Sequence, residues 1–158
     1  MLTLGKNSTV ETEREKTDRE NRETCRRIAL ELEAYVEGSV RRCPECGEII
    51  NRTEWDDVGD KFKCPECGAV VESDDLEPLS VWDYMEDVLD IEYRTTGRNA
   101  DDLRSVSVMV TCGGPNIYID TASASVELYW WGDRASYPIS YDARDAVDEW
   151  AAEMWGCM

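Results

Sequence analysis

Histidine is absent from the chain, phenylalanine occurs once, and no apolar run approaches the length of a membrane span. Without histidine the protein lacks the commonest general base near neutral pH and the commonest nitrogen ligand for metals, which counts against many enzyme classes at once. A membrane-spanning helix needs roughly 18 or more consecutive apolar residues, and the first thirty residues lack the hydrophobic segment of a signal peptide. The sequence therefore reads as that of a cytoplasmic protein with no membrane partner. Positive charge is also scarce: 17 Lys and Arg stand against 35 Asp and Glu, for a formal net charge of −18. Residues 1–30 are nearly balanced, so the excess falls on the remainder, where no basic patch exceeds two residues. Direct binding to nucleic acid is the function this charge most disfavours.

What is present suffices for a folded core. The 158 residues are 42% hydrophobic, with six Trp and seven Tyr, despite a charged fraction of 33%. Residues 1–23 are dominated by charge (ETEREKTDRENRE) with no apolar stripe, and read as a frayed helix or flexible arm. Over 24–40, Cys25, Ile28, Ala29, Leu32, Tyr35 and Val36 recur at helical spacing until Gly38.

Four of the seven cysteines form a repeat, CPECG at 43–47 and again at 64–68, each followed by a short strand pattern. Cys43, Cys46, Cys64 and Cys67 have the spacing of a four-thiolate zinc ribbon, here assigned to 41–77, and thiolate suits zinc. Gly47 and Gly68 allow the tight turn that aims backbone amides at sulfur. Four protein ligands close the tetrahedron, which favours one structural Zn2+ over a catalytic ion with an open position, and leaves no free CxxC for redox work. The cations Arg41, Arg42, Lys61 and Lys63 precede the knuckles. They suit either a nucleic-acid grip or, more simply, partial compensation of the thiolate cluster, since four thiolates and one zinc take the formal charge from −18 to about −20.

Residues 78–158 predict an α+β domain. Ser80 and Asp83 form a capping box opening a helix to about Asp90, with Val81, Trp82, Met85, Val88 and Leu89 on its apolar side. IEYRTT, SVSVMVTC, IYID and SVELYWW predict an antiparallel meander, and Ser140 or Asp142 caps a last helix with Ala143, Ala146, Val147, Trp150, Ala151 and Met154 on one face. The expected fold is thus α+β: an N-terminal helix, a four-cysteine ribbon, then an antiparallel sheet of three to four strands packed with two helices. Cys25, Cys112 and Cys157 are expected as free thiols; Cys112, at the end of an alternating strand beside Gly-Gly, is expected in the core, with no histidine to activate it as a nucleophile.

Two carboxylate rows stand out: Asp83, Glu86, Asp87 and Asp90 on the second helix, and Asp142, Asp145, Asp148, Glu149 and Glu153 on the last. Like charges at this spacing destabilise a helix, and a carboxylate row spaced by about 5–6 Å can occupy a basic groove built for nucleic acid. The plainer reading is that high charge serves solubility. Tyr129-Trp130-Trp131-Gly132-Asp133-Arg134 likewise reads either as a protein-binding hot spot or as a hairpin end with Trp130 in the core.

With its two CPECG knuckles and the stretches WDYMEDVLDIEYR, VTCGGPNIYIDT and ELYWWGDRASYP, the chain resembles small acidic zinc-ribbon proteins of phages and mobile elements of Gram-positive gut bacteria, over roughly residues 20–158. That setting resembles the one of anti-CRISPR and other anti-defence proteins. The resemblance implies a non-enzymatic inhibitor that binds the basic surface of a nucleic-acid-guided nuclease such as Cas9, through Asp83, Glu86, Asp87, Asp90, Trp131, Asp133 and Arg134. It brings no catalytic residues. The other reading is a ribbon adaptor or regulator that docks on a protein, with its acidity incidental.

Overall fold

The computed structural model describes residues 10–158. Helix α1 (Glu13–Val36) starts inside the stretch expected to be an arm, of which residues 1–9 lie outside the described residues. A capping box explains the early start: the Thr12 hydroxyl accepts from the Glu15 amide, and the Glu15 carboxylate accepts from the Thr12 amide. Arg19 also pairs with Glu11 at 2.8 Å. Burial begins only at Cys25 and continues through Ile28, Ala29 and Leu32, so the first turns of α1 are helical without serving the core.

The ribbon follows as a two-stranded sheet of β1 (Val40–Arg42) and β2 (Ile49–Asn51), then a three-stranded one of β3 (Asp56–Val58), β4 (Lys61–Lys63) and β5 (Val70–Glu72), all antiparallel. Its core is small: Ile50, Trp55, Val71 and Leu76 with Phe62 beside the buried Cys43 and Cys64. The Leu79 amide donates to the Val40 carbonyl at 2.9 Å, tying the ribbon to the chain that leaves it.

Helix α2 (Val81–Met85) is much shorter than its sequence pattern suggests. The Ser80–Asp83 capping box forms, but the Leu89 amide bonds to the Met109 carbonyl at 2.8 Å and the chain passes into strand β6 (Asp90–Thr95). Sheet pairing thus takes the last turn that helical periodicity assigned to α2, and Leu89 is left exposed.

Strands β7 (Leu103–Thr111), β8 (Asn116–Asp120), β9 (Ser125–Trp130) and β10 (Asp133–Pro138) complete a five-stranded antiparallel meander in sequence order. One strand exceeds the expected three to four: β10 directs only Ala135 and Tyr137 toward the core, too brief an apolar signal to register in the sequence. Helix α3 (Tyr141–Gly156), capped by Ser140 as expected, ends the chain. Val106, Val108, Ile117, Ile119, Val126 and Leu128 form the inner face of the sheet against Ile28 and Leu32 of α1 and Val147, Trp150 and Ala151 of α3. The other face is polar and half-buried, with the Arg94 guanidinium reaching both carboxylate oxygens of Asp120 at 3.2 and 2.9 Å. Among the described residues no helix is long and apolar enough to cross a membrane.

Candidate metal centre and acidic rim

The two CPECG repeats fold identically. In each, the glycine after the second cysteine has a positive φ, +77° at Gly47 and +74° at Gly68, and its amide donates to the carbonyl of the first cysteine at 2.9 Å. The first cysteine's own amide closes the knuckle by donating to Glu48 or Ala69. A side chain at either glycine would strain the left-handed backbone, which is why the motif ends as it does.

The knuckles bring Cys43, Cys46, Cys64 and Cys67 together, their sulfurs all within 4.8 Å of one another. Cys43 Sγ lies 3.8 Å from Cys67 Sγ, and Cys46 Sγ lies 3.9 Å from Cys64 Sγ. A tetrahedron of sulfurs around an ion at about 2.3 Å has an edge of about 3.8 Å, so two opposite edges of the cluster match a closed four-thiolate site and the other sulfur pairs stay within 4.8 Å. The donor chemistry fits as well. Burial opposes ionisation of the Cys43 thiol, but the Cys46 and Glu45 amides and the neighbouring sulfurs of Cys46 and Cys64 bring it down to about 7. At Cys46 the Glu48 amide favours the thiolate, yet burial and the sulfurs of Cys43, Cys67 and Cys64 push it up to about 12. Neighbouring thiolates repel, and a bound cation is what lets all four ionise together.

Two of the four cations before the knuckles, Arg41 and Lys61, are engaged elsewhere. Arg41 donates to the Gly38 and Val40 carbonyls. Lys61 pairs with Glu72 at 2.8 Å, and Lys63 stands opposite Asp56 in register. Arg42 reaches into the first knuckle, donating to the Gly47 carbonyl at 3.4 Å, and the Lys63 side chain lies beside Gly68 of the second.

The structure separates the expected helical acidic row. Asp83 is half-buried and spends one carboxylate oxygen, Oδ2, on the Ser80 amide and hydroxyl, while Asp90 belongs to β6. Glu86, Asp87 and Asp90 are exposed at the corner between α2 and β6, and none of the three is in an ion pair among the described residues. On α3, Asp148 also leaves the row: it is half-buried and its Oδ1 has no partner.

Trp131, Asp133 and Arg134 lie at the β9–β10 hairpin. Trp130 pairs with Asp133, so Trp131 and Gly132 form a two-residue loop, and both have positive φ, +50° and +85°. Positive φ at both loop positions is the type I′ arrangement, which favours Asn-Gly and not Trp-Gly. Trp131 is 87% exposed, and Trp130 is partly exposed, not core. Arg134 lies over the Tyr129 ring at 5.1 Å and donates to its hydroxyl at 3.4 Å. The antiparallel register puts the start of β6, the end of β7, the start of β8 and this hairpin at one end of the sheet. Asp90 and Trp131 therefore share a rim about four strand spacings wide, roughly 19 Å.

Cys112 is exposed, contrary to the expectation of a core thiol. The register shifts between Met109 and Thr111, β7 ends at Thr111, and the Thr111 hydroxyl donates to the Pro115 carbonyl at 2.7 Å, so the alternation stops before Cys112. Cys157, which follows α3, is also exposed, and only Cys25 of these three is buried. Sequence reading also missed an aromatic contact between α1 and α2, Tyr35 against Tyr84 at 5.2 Å. Two tyrosines 49 positions apart carry no local signal of their meeting.

Comparison of the chain with family models, with curated proteins and with solved structures found no match.

Proposed function

We propose that the chain is a zinc-stapled binding protein, not an enzyme, whose acidic rim docks on a basic protein surface of the kind that holds nucleic acid. A nucleic-acid-guided nuclease such as Cas9 is the partner class to test first. In this reading the ion is one Zn2+ and its role is structural. The ribbon's hydrophobic core is too small to stand alone, and a closed four-sulfur site has no open position for substrate. The observation that carries the reading is the rim: Glu86, Asp87 and Asp90, unpaired among the described residues, share one end of the sheet with the exposed Trp131. A charge row steers an encounter with a basic groove, and an aromatic anchor at the far end gives it register.

The test is capture of the tagged, zinc-loaded chain on a panel of guide-free and guide-loaded nucleases, followed by competition with the nuclease's nucleic acid. Binding that excludes nucleic acid is expected. Absence of binding at low salt, or simultaneous binding of both ligands, counts against the proposal.

Trp131 supports a second reading, an adaptor anchored by the hairpin tip with the carboxylates serving solubility. Electrostatic docking weakens steeply between about 50 and 200 mM salt, whereas aromatic anchoring barely responds.

A further inference from the structure

Between α1, α2 and the end of β7 lies a cavity of about 200 Å³. Its floor is apolar, with Ile28 and Val110, and its walls carry Tyr35, Tyr84, Glu31 and Asp87. The rings of Tyr35 and Tyr84 meet edge to face, at 5.2 Å and 71°. Glu31 comes from α1 and Asp87 from the segment after α2; both carboxylates are exposed, and neither is in an ion pair among the described residues.

The negative potential of these acids reaches the rings. Burial pushes the Tyr84 hydroxyl up, and Glu31 and then Tyr35 push it further. Tyr35 is raised by burial, then by Glu31, Asp83 and Asp87, with only Arg42 opposing. Aromatic faces attract cations, and most strongly where water is thinned by apolar walls. A cavity with an apolar floor, two tyrosines and two unpaired carboxylates repels anions and favours a cation over a neutral guest.

We propose that this cavity is a socket for one arginine side chain of a basic protein partner, the guanidinium lying against the tyrosines between Glu31 and Asp87 and the methylenes on Ile28 and Val110. Arginine fits better than lysine because its head is planar, weakly hydrated and able to donate toward two carboxylates at once. Stacked guanidiniums already occur in this chain, with Arg52 over Phe62 at 3.8 Å and Arg134 over Tyr129 at 5.1 Å. The inference rests on the proposed function only for the source of the arginine, a basic protein surface complementary to the acidic rim.

The experiment needs no partner, so its failure is distinguishable from failure of the docking proposal. The full zinc-loaded chain is titrated by NMR with a capped Gly-Ser-Arg-Ser-Gly peptide, with the citrulline peptide as its neutral isostere and with the lysine peptide. Saturable shifts at Tyr84, Val110 and Thr111 are expected with the arginine peptide, together with none from citrulline and weaker ones from lysine. The double variant Glu31→Gln/Asp87→Asn, which alters exposed groups only, is expected to weaken arginine binding at least tenfold. Equal binding by citrulline or lysine, shifts scattered over the acidic surface, or unchanged binding in the double variant would overturn the assignment.

Discussion

Glu33 and Ser140 are 107 positions apart and joined by two hydrogen bonds: the Ser140 amide donates to Glu33 Oε1 at 2.7 Å and its hydroxyl to Oε2 at 2.8 Å. The same hydroxyl accepts from the Ala143 amide at 3.0 Å, so a carboxylate of α1 orients the N-cap of α3. Glu33→Ala is expected to cost about 1–2 kcal/mol in urea unfolding, and Ser140→Ala about 1 kcal/mol. Because the two groups act as one unit, the double variant should lose less than the sum of the single losses.

Metal analysis of the chain purified without added metal should return one zinc per chain. Cys64→Ser removes a buried ligand, and a three-sulfur site should lose the ion. The NMR signals of residues 41–77 should then collapse toward random-coil positions while those of β6–β10 keep their dispersion. Full dispersion of the ribbon without metal would show that its small core folds unaided.

Two aspartates give opposite pH signatures. Burial opposes ionisation of Asp120, but hydrogen bonds from Arg94 and from the Ser123 and Ala122 amides hold its carboxyl below the usual range. With a depressed folded value, its contribution is present above the unfolded pKa of about 3.9 and is lost as pH falls through the folded value. Asp120→Asn should therefore cost about 1–2 kcal/mol at pH 7 and progressively less in acid. Asp148 is raised, chiefly by burial. Its contribution is present below the unfolded pKa and lost as pH rises through the folded value, so Asp148→Asn should raise the thermal midpoint at pH 7 by roughly 1–3 °C and leave it unchanged near pH 3.

The hairpin tip separates stability from binding. Trp131→Asn places the favoured Asn-Gly pair in a type I′ loop and removes an exposed indole, so stability should rise by up to about 1 kcal/mol. If the tip anchors a partner, the same substitution should weaken capture by about tenfold or more. Loss of stability would mean that Trp131 is required by the fold.

Features set by short-range chemistry were readable from the sequence. The ribbon ligands, the Ser80 and Ser140 caps and the strands β7, β8 and β9 each follow from residue type and spacing over a few positions. Competition between elements was not readable. Helical periodicity from Val81 to Leu89 is real, yet pairing of β6 with β7 ends α2 at Met85 and moves Asp90 to the sheet. Cys112 continues an alternating pattern that a register shift interrupts. The cavity walled by Glu31, Tyr35, Tyr84 and Asp87 exists only through the packing of α1 against α2, which no window of sequence contains.

The central claim, that the acidic rim is the binding surface, is tested most directly by the salt dependence of capture with the fold held constant. The wild-type chain and the variant Glu86→Lys/Asp90→Lys, which is altered only at exposed carboxylates, are compared on the same nuclease at about 50 and 200 mM salt. The account predicts a loss of at least about tenfold in wild-type affinity across that range, with the variant already weak at the lower salt. Salt-independent binding that the variant retains in full would contradict it and leave the carboxylates to solubility alone.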